Sequence, residues 1–139
     1  RGVILGDTVV VRQEATLEAL DLATGRHRWL LPQTGTLDAL TTFGDTVVAA
    51  TQLGTSVIDE QGTIRRELPA YEWVSVVGDT MVGWGRTEAE FRDRDGAVLA
   101  TLDTPDLTFK AAGVQPIPYR QGVVVFGRNW TFTSWSDEP

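Results

Sequence analysis

Ala19-Leu20-Asp21-Leu22-Ala23-Thr24-Gly25-Arg26-His27-Arg28-Trp29 decides how this chain is read. Asp followed by a short link and a glycine, with β-rich residues on both sides, is a turn between two strands. The Asp side chain can bond its own downstream backbone, and the glycine supplies a left-handed φ. Strands are therefore expected over Thr16–Asp21 and His27–Leu31. The same marker returns as Asp59 to Gly62 and Asp93 to Gly96, each one residue shorter. Those copies predict strands over Ser56–Asp59 and Thr63–Leu68, then over Glu90–Asp93 and Ala97–Leu102.

A second marker keeps phase with the first. Gly-Asp-Thr occurs at Gly6, Gly44 and Gly78, spaced 38 and 34 residues apart, and an apolar run follows each time. Gly25, Gly62 and Gly96 follow these glycines by 19, 18 and 18 residues. Gly-Asp between β-rich runs suits a two-residue type II′ hairpin, with glycine at the position that needs a positive φ. Val3–Leu5 should then pair with Thr8–Arg12, Leu40–Phe43 with Thr46–Ala50, and Val74–Val77 with Thr80–Trp84. A degraded fourth copy is expected at Gly122-Val123-Val124-Val125-Phe126. No window of 11 or more residues carries a convincing helical apolar spacing.

Four short strands per period of 34 to 38 residues is the pattern of a β-propeller blade. The fold class expected is all-β: three to four four-stranded antiparallel blades, as a partial ring or a ring completed by association. The approximate units are residues 3–37, 38–70, 71–106 and a partial unit 107–139.

Composition narrows the role. Of 139 residues, 42% are hydrophobic, enough for a real core. The net charge of −7 disfavours nucleic acid and basic membrane-surface roles, which draw on Lys and Arg. Cysteine is absent, so disulfides, zinc–thiolate sites and cysteine nucleophiles are excluded. His27 is the only histidine, which rules out a multi-histidine metal site or a histidine triad within the chain. It reads as a strand residue at the blade surface.

Ala19-x-Asp21-x-x-x-Gly25-x-x-x-Trp29 resembles the tryptophan-docking motif of the quinoprotein-type (PQQ-like) propeller repeat, and Gly6-Asp7-Thr8-Val9-Val10-Val11 is similar to that repeat's opening strand. The resemblance implies that Ala19 packs in the sheet, Asp21 holds the turn, Gly25 permits it, and Trp29 stacks on the neighbouring blade's motif. Arg66 and Ala100 stand where the second and third copies would carry that tryptophan. The quinoprotein type usually has eight blades, by the same resemblance, and this chain holds three to four. A fragment of a longer propeller, opening on Arg1 instead of Met, is the favoured expectation. Self-association to complete the propeller, or a compact four-blade ring, are the alternatives.

The resemblance leads to a non-enzymatic branch: a scaffold or sensor module for a protein or peptide partner, bacterial and extracytoplasmic (periplasmic or cell-surface). No catalytic, metal or cofactor-binding residue is assigned, and no cofactor is expected. The alternatives are a fragment of a quinone-dependent dehydrogenase and a carbohydrate-binding propeller. The dehydrogenases bind quinone and calcium at an axial site built by many blades, and many have an adjacent-cysteine disulfide there, which this chain lacks. Asp93-Arg94-Asp95-Gly96 fails the calcium-loop pattern, because Phe91 and Leu102 stand where ligands belong. Trp73, Trp84, Trp130 and Trp135 could build a sugar or peptide platform. Trp130, Phe132 and Trp135 alternate with polar residues like one face of a half-buried strand, a possible exposed aromatic surface if the last blade is incomplete.

Overall fold

Each Gly-Asp pair forms the tip of a tight hairpin. In the computed structural model, Leu5 pairs with Thr8, Phe43 with Thr46 and Val77 with Thr80, leaving two residues in each turn. Gly6, Gly44 and Gly78 have φ of 61°, 61° and 56°, and the Asp after each does not share the positive φ. A positive φ at the first central position alone is what a type II′ turn requires.

The structure describes residues 2–33 and 35–103, together with the backbone of three later strands. The first sheet holds β1 (Gly2–Leu5), β2 (Thr8–Gln13), β3 (Thr16–Asp21) and β4 (His27–Pro32) in sequential order. The second holds β5 (Leu37–Phe43), β6 (Thr46–Thr51), β7 (Gly54–Asp59) and β8 (Ile64–Leu68), again in order. The third holds β9 (Trp73–Val77), β10 (Thr80–Trp84), β11 (Glu88–Arg92) and β12 (Val98–Asp103). The last comprises β13 (Gln115–Tyr119), β14 (Gly122–Phe126) and β15 (Phe132–Ser136). Every pairing is antiparallel. The strands expected around both markers are present, and β14 coincides with the degraded fourth copy.

The chain divides into two compact units, Arg1–Tyr71 and Glu72–Pro139. In the first unit the opening strands of the two sheets, β1 and β5, lie side by side. In the second, β9 and β13 do the same. The core of the first unit lies between its two sheets. Val10, Leu17 and Ala19 of the first sheet meet Val47, Ala49 and Ile58 of the second, all at 1% exposure or less. Fully burying one such aliphatic side chain is worth about 1.5–3 kcal/mol, so these six side chains hold the two sheets of the unit together. The third sheet has its own cluster of Val82, Trp84 and Ala89, flanked by Trp73, Phe91 and Leu102.

Candidate functional site

The turn that carries the docking motif is built by one carboxylate. Asp21 Oδ1 accepts the N–H groups of Ala23 and Thr24, both at 2.9 Å. The Asp21 N–H donates to the Arg26 carbonyl and the Gly25 N–H to the Asp21 carbonyl, both at 2.8 Å. The shorter second and third turns keep this bracket. Asp59 Oδ1 accepts the N–H groups of Gln61 and Thr63, and Asp93 Oδ1 those of Asp95 and Ala97. Asp93 therefore serves its own turn. Among the described residues, no group of three or more His, Asp or Glu side chains could hold a metal ion.

A β-bulge follows the turn in every four-stranded sheet. Ala19 pairs with Trp29 but Leu20 pairs with His27, so Arg28 is the extra residue. Val57 pairs with Arg66 and Ile58 with Ile64, which leaves Arg65 extra; Phe91 pairs with Ala100 and Arg92 with Val98, which leaves Leu99 extra. The register thus puts Arg66 and Ala100 at the position of Trp29. The bulge aims its side chain back at the turn in the first two sheets. Arg28 donates to Asp21 Oδ2 at 2.5 Å, to Asp7 Oδ1 at 3.0 Å and to Thr8 Oγ1 at 2.7 Å. It ties the Gly6-Asp7 hairpin tip to the docking turn. Arg65 donates to Asp59 Oδ2 at 2.6 Å. The third sheet has Leu99 at the bulge, and Arg94 pairs with Asp79 at 2.6 Å instead. These arginines escape a motif search focused on Trp, although Gly-x-x-Arg recurs at Gly25–Arg28 and Gly62–Arg65.

The ion pairs shape the titration of the turns. The Arg28 hydrogen bond, followed by the Thr24 N–H, holds the Asp21 carboxyl at about 2, well below its ordinary 3.8. Asp7 is lowered by the hydrogen bond from Arg28 and by its charge. The two carboxylates, Asp7 first, raise the Arg28 guanidinium further. Burial pushes the Asp59 carboxyl up, but the Thr63 N–H, Arg65 and the Gln61 N–H together outweigh it, and the group lies below its usual range.

Trp29 reaches from the first sheet to the second. Its Nε1–H donates to the Glu60 carbonyl at 3.0 Å. Its ring sits against Gly62 so closely that a Cβ there would lie 2.6 Å from Trp29 Cγ. Gly62, at φ 84°, is thus required twice, by its turn and by the indole above it. Ala19 is fully buried beneath. Further along the same seam is a half-open groove of about 320 Å³. Leu17, Leu31 and Pro32 line one side, and Leu53, Ile58 and Ile64 the other. The Ser56 hydroxyl donates to Glu67 Oε2 at its edge.

The remaining sequence candidates are scattered. His27 is an exposed strand residue, 3.9 Å from Glu18. Trp84 is fully buried in the third sheet with Trp73 packed beside it, so these two form core and not a platform. Trp130 lies outside the described residues. Phe132 and Trp135 fall on β15, opposite Phe126 and Val123, in a segment whose side chains also lie outside the description.

No protein-family model matches the sequence, and no curated protein matches it. Solved structures match its fold. The computationally designed Ika4 protein aligns with a TM-score of 0.74 and 16% identity, over 97% of this chain and 88% of its own. KlHsv2 with loop 6CD replaced by a Gly-Ser linker aligns at 0.72 with 8% identity, and BamB from Moraxella catarrhalis at 0.68 with 16%. Each of these two is matched over 94% of this chain, which spans 46% of their own length. The fold is that of β-propeller blades: three four-stranded antiparallel sheets followed by a three-stranded one.

Proposed function

We propose that this chain is a non-enzymatic propeller segment of the quinoprotein-like kind, acting as a scaffold for a protein or peptide partner. The observation that carries this reading is the Trp29 joint. The residue that completes the family-like motif is spent on the Glu60 carbonyl and the Gly62 backbone of the next blade, as a fastener would be. The titratable side chains around it are likewise spent on turns. Asp21, Asp59 and Asp93 cap backbone N–H groups, and Arg28 and Arg65 neutralise two of them. What remains open is shaped surface: the groove beside Leu53 and Ile64, whose lining mixes these apolar side chains with Gln33, Ser56 and Glu67. A bacterial, extracytoplasmic setting and a sensor role follow from the motif's resemblance and belong to the same proposal.

Two measurements test the reading. Titration with pyrroloquinoline quinone and Ca²⁺, followed by absorbance, should give no stoichiometric complex; a saturating one-to-one complex overturns the non-enzymatic reading. A photo-cross-linking residue at Leu53 should trap a discrete protein partner in cells that make this chain. Failure there and at the other exposed loops of the first unit overturns the scaffold reading.

A further inference from the structure

The seam between the first two blades is filled at one end and open at the other. Trp29 and Leu31 lie two residues apart on β4, paired with Ala19 and Leu17 of β3, and both pack against the core between the sheets. Trp29 fills the wedge down to the Gly62 backbone. Leu31 is too short to do the same, and the half-open groove of about 320 Å³ is left between it and Ile58 and Ile64. Every residue that lines the groove falls between Leu17 and Glu67, within the first unit. Its shape is therefore set by the contact of that unit's own two sheets, through the buried cluster of Leu17, Val47 and Ile58.

The lining describes an occupant. Leu17 and Ile58 at the floor are buried, while Leu53 and Ile64 at the rim are 70% and 46% exposed. One wall is polar. There the Ser56 hydroxyl donates to Glu67 Oε2 at 3.1 Å, and among the described residues no Lys or Arg side chain pairs with Glu67. The volume stands at the low end of small-ligand pockets, roughly 300–1,000 Å³, enough for one large side chain and the backbone beside it. An aromatic ring suits it, since the same wedge takes the Trp29 ring at its other end and a ring buries the most apolar area for one side chain. A carboxylate at the edge, on a chain of net charge −7, attracts a cation and turns away an acidic segment. An added strand fits β4 poorly, because Pro32 in the lining has no N–H to offer it.

We infer that this groove seats an extended peptide segment in which an aromatic residue stands beside a lysine or arginine, the ring lodged between Leu31 and Ile58 and the cation on the Glu67 carboxylate. The inference rests on the scaffold reading and names the chemistry of its partner. Burial of the ring supplies the affinity. The ion pair, formed on an exposed carboxylate, supplies the choice between partners, and salt should weaken that choice.

Fluorescence anisotropy with the whole chain and three fluorescein-labelled peptides tests this. The peptides share a Gly-Ser frame and differ in one central pair: Trp-Lys, Trp-Glu or Ala-Lys. The Trp-Lys peptide should bind saturably, the Trp-Glu peptide about fivefold more weakly at low salt, and the Ala-Lys peptide not measurably. Glu67→Lys should reverse the order of the two tryptophan peptides. Leu31→Trp should plug the groove as Trp29 plugs the other end of the seam, abolishing binding while the melting temperature is kept. Unchanged binding to folded Leu31→Trp overturns the groove as the site. Should that variant fail to fold, Glu67→Lys, a change at an exposed position, decides: an order that it does not reverse overturns the cationic occupant. Absence of binding by the Trp-Lys peptide to the parent chain also overturns this occupant, whereas a protein still trapped by cross-linking at Leu53 or another exposed loop would keep the scaffold reading standing.

Discussion

Trp29 and Gly62 form one joint: the indole of the first blade rests on the turn glycine of the second, and its N–H is bound to the carbonyl of Glu60. Removing the ring opens the seam above Ala19. Trp29→Ala should destabilise by about 3–5 kcal/mol, the range for truncating a packed aromatic. Trp29→Phe keeps a ring but loses the donor, so about 1 kcal/mol is expected. Urea unfolding of both variants checks the order, and equal losses would assign the effect to the hydrogen bond alone.

Gly62 and Gly25 occupy equivalent turns with φ of 84° and 72°, yet only Gly62 is covered. Gly25→Ala should cost the left-handed strain alone, about 1–2 kcal/mol. Gly62→Ala adds a clash with the indole, a further cost of about 1–3 kcal/mol. Thermal melts of the pair measure the difference. If the two melt alike, the ring does not press on Gly62 in solution.

The Asp21–Arg28 pair sets an acid limit. Asp21 ionises at about 2 in the folded chain against an ordinary 3.8. A depressed carboxyl stabilises the fold above its unfolded value and loses that contribution as pH falls through its folded value. The contribution should therefore be complete above pH 4 and fade towards about pH 2. Asp21→Asn should be less stable than the parent at neutral pH, and the gap should close over that window. A gap that is constant from neutral pH down to about 2 would contradict the pair.

Glu14 is the one non-glycine residue among those described with a positive φ, 48°, in the hairpin between Gln13 and Thr16. The left-handed form costs an ordinary residue about 1–2 kcal/mol, and glycine returns part of the gain through its freer unfolded chain. Glu14→Gly should raise stability by about 0.5–1 kcal/mol, since the Arg12 contact uses the Glu14 backbone carbonyl. A lower urea midpoint would show that the side chain holds the turn in another way.

The repeat was legible because both punctuation marks depend on backbone conformation. Gly6-Asp7 and Asp21 to Gly25 place residues with special φ or Asx bonding at fixed phases, and strands fill the space between. The bulge at Arg28, Arg65 and Leu99 was not, because an extra unpaired residue accepts any side chain: Gly-x-x-Arg accompanies it in the first two copies, and Leu99 takes the place in the third. The Arg28–Asp7 tie was hidden for a related reason: its partners are 21 residues apart and meet only through the register of three strands. Trp84 showed the limit of reading aromatics. Only the third dimension distinguishes a tryptophan at 0% exposure from one offered to a ligand.

Amide hydrogen exchange tests the joint most directly. The N–H groups of Gln61, Gly62 and Thr63 lie in the turn beneath Trp29, bound to Asp59. Those of Asp95 and Ala97 lie in the matching third turn, whose sheet has Ala100 where the tryptophan would be. With both proteins folded, Trp29→Ala should speed exchange at residues 61–63 and leave residues 95–97 unchanged. Unaltered exchange at 61–63 would contradict the account of Trp29 as the fastener between the first two blades.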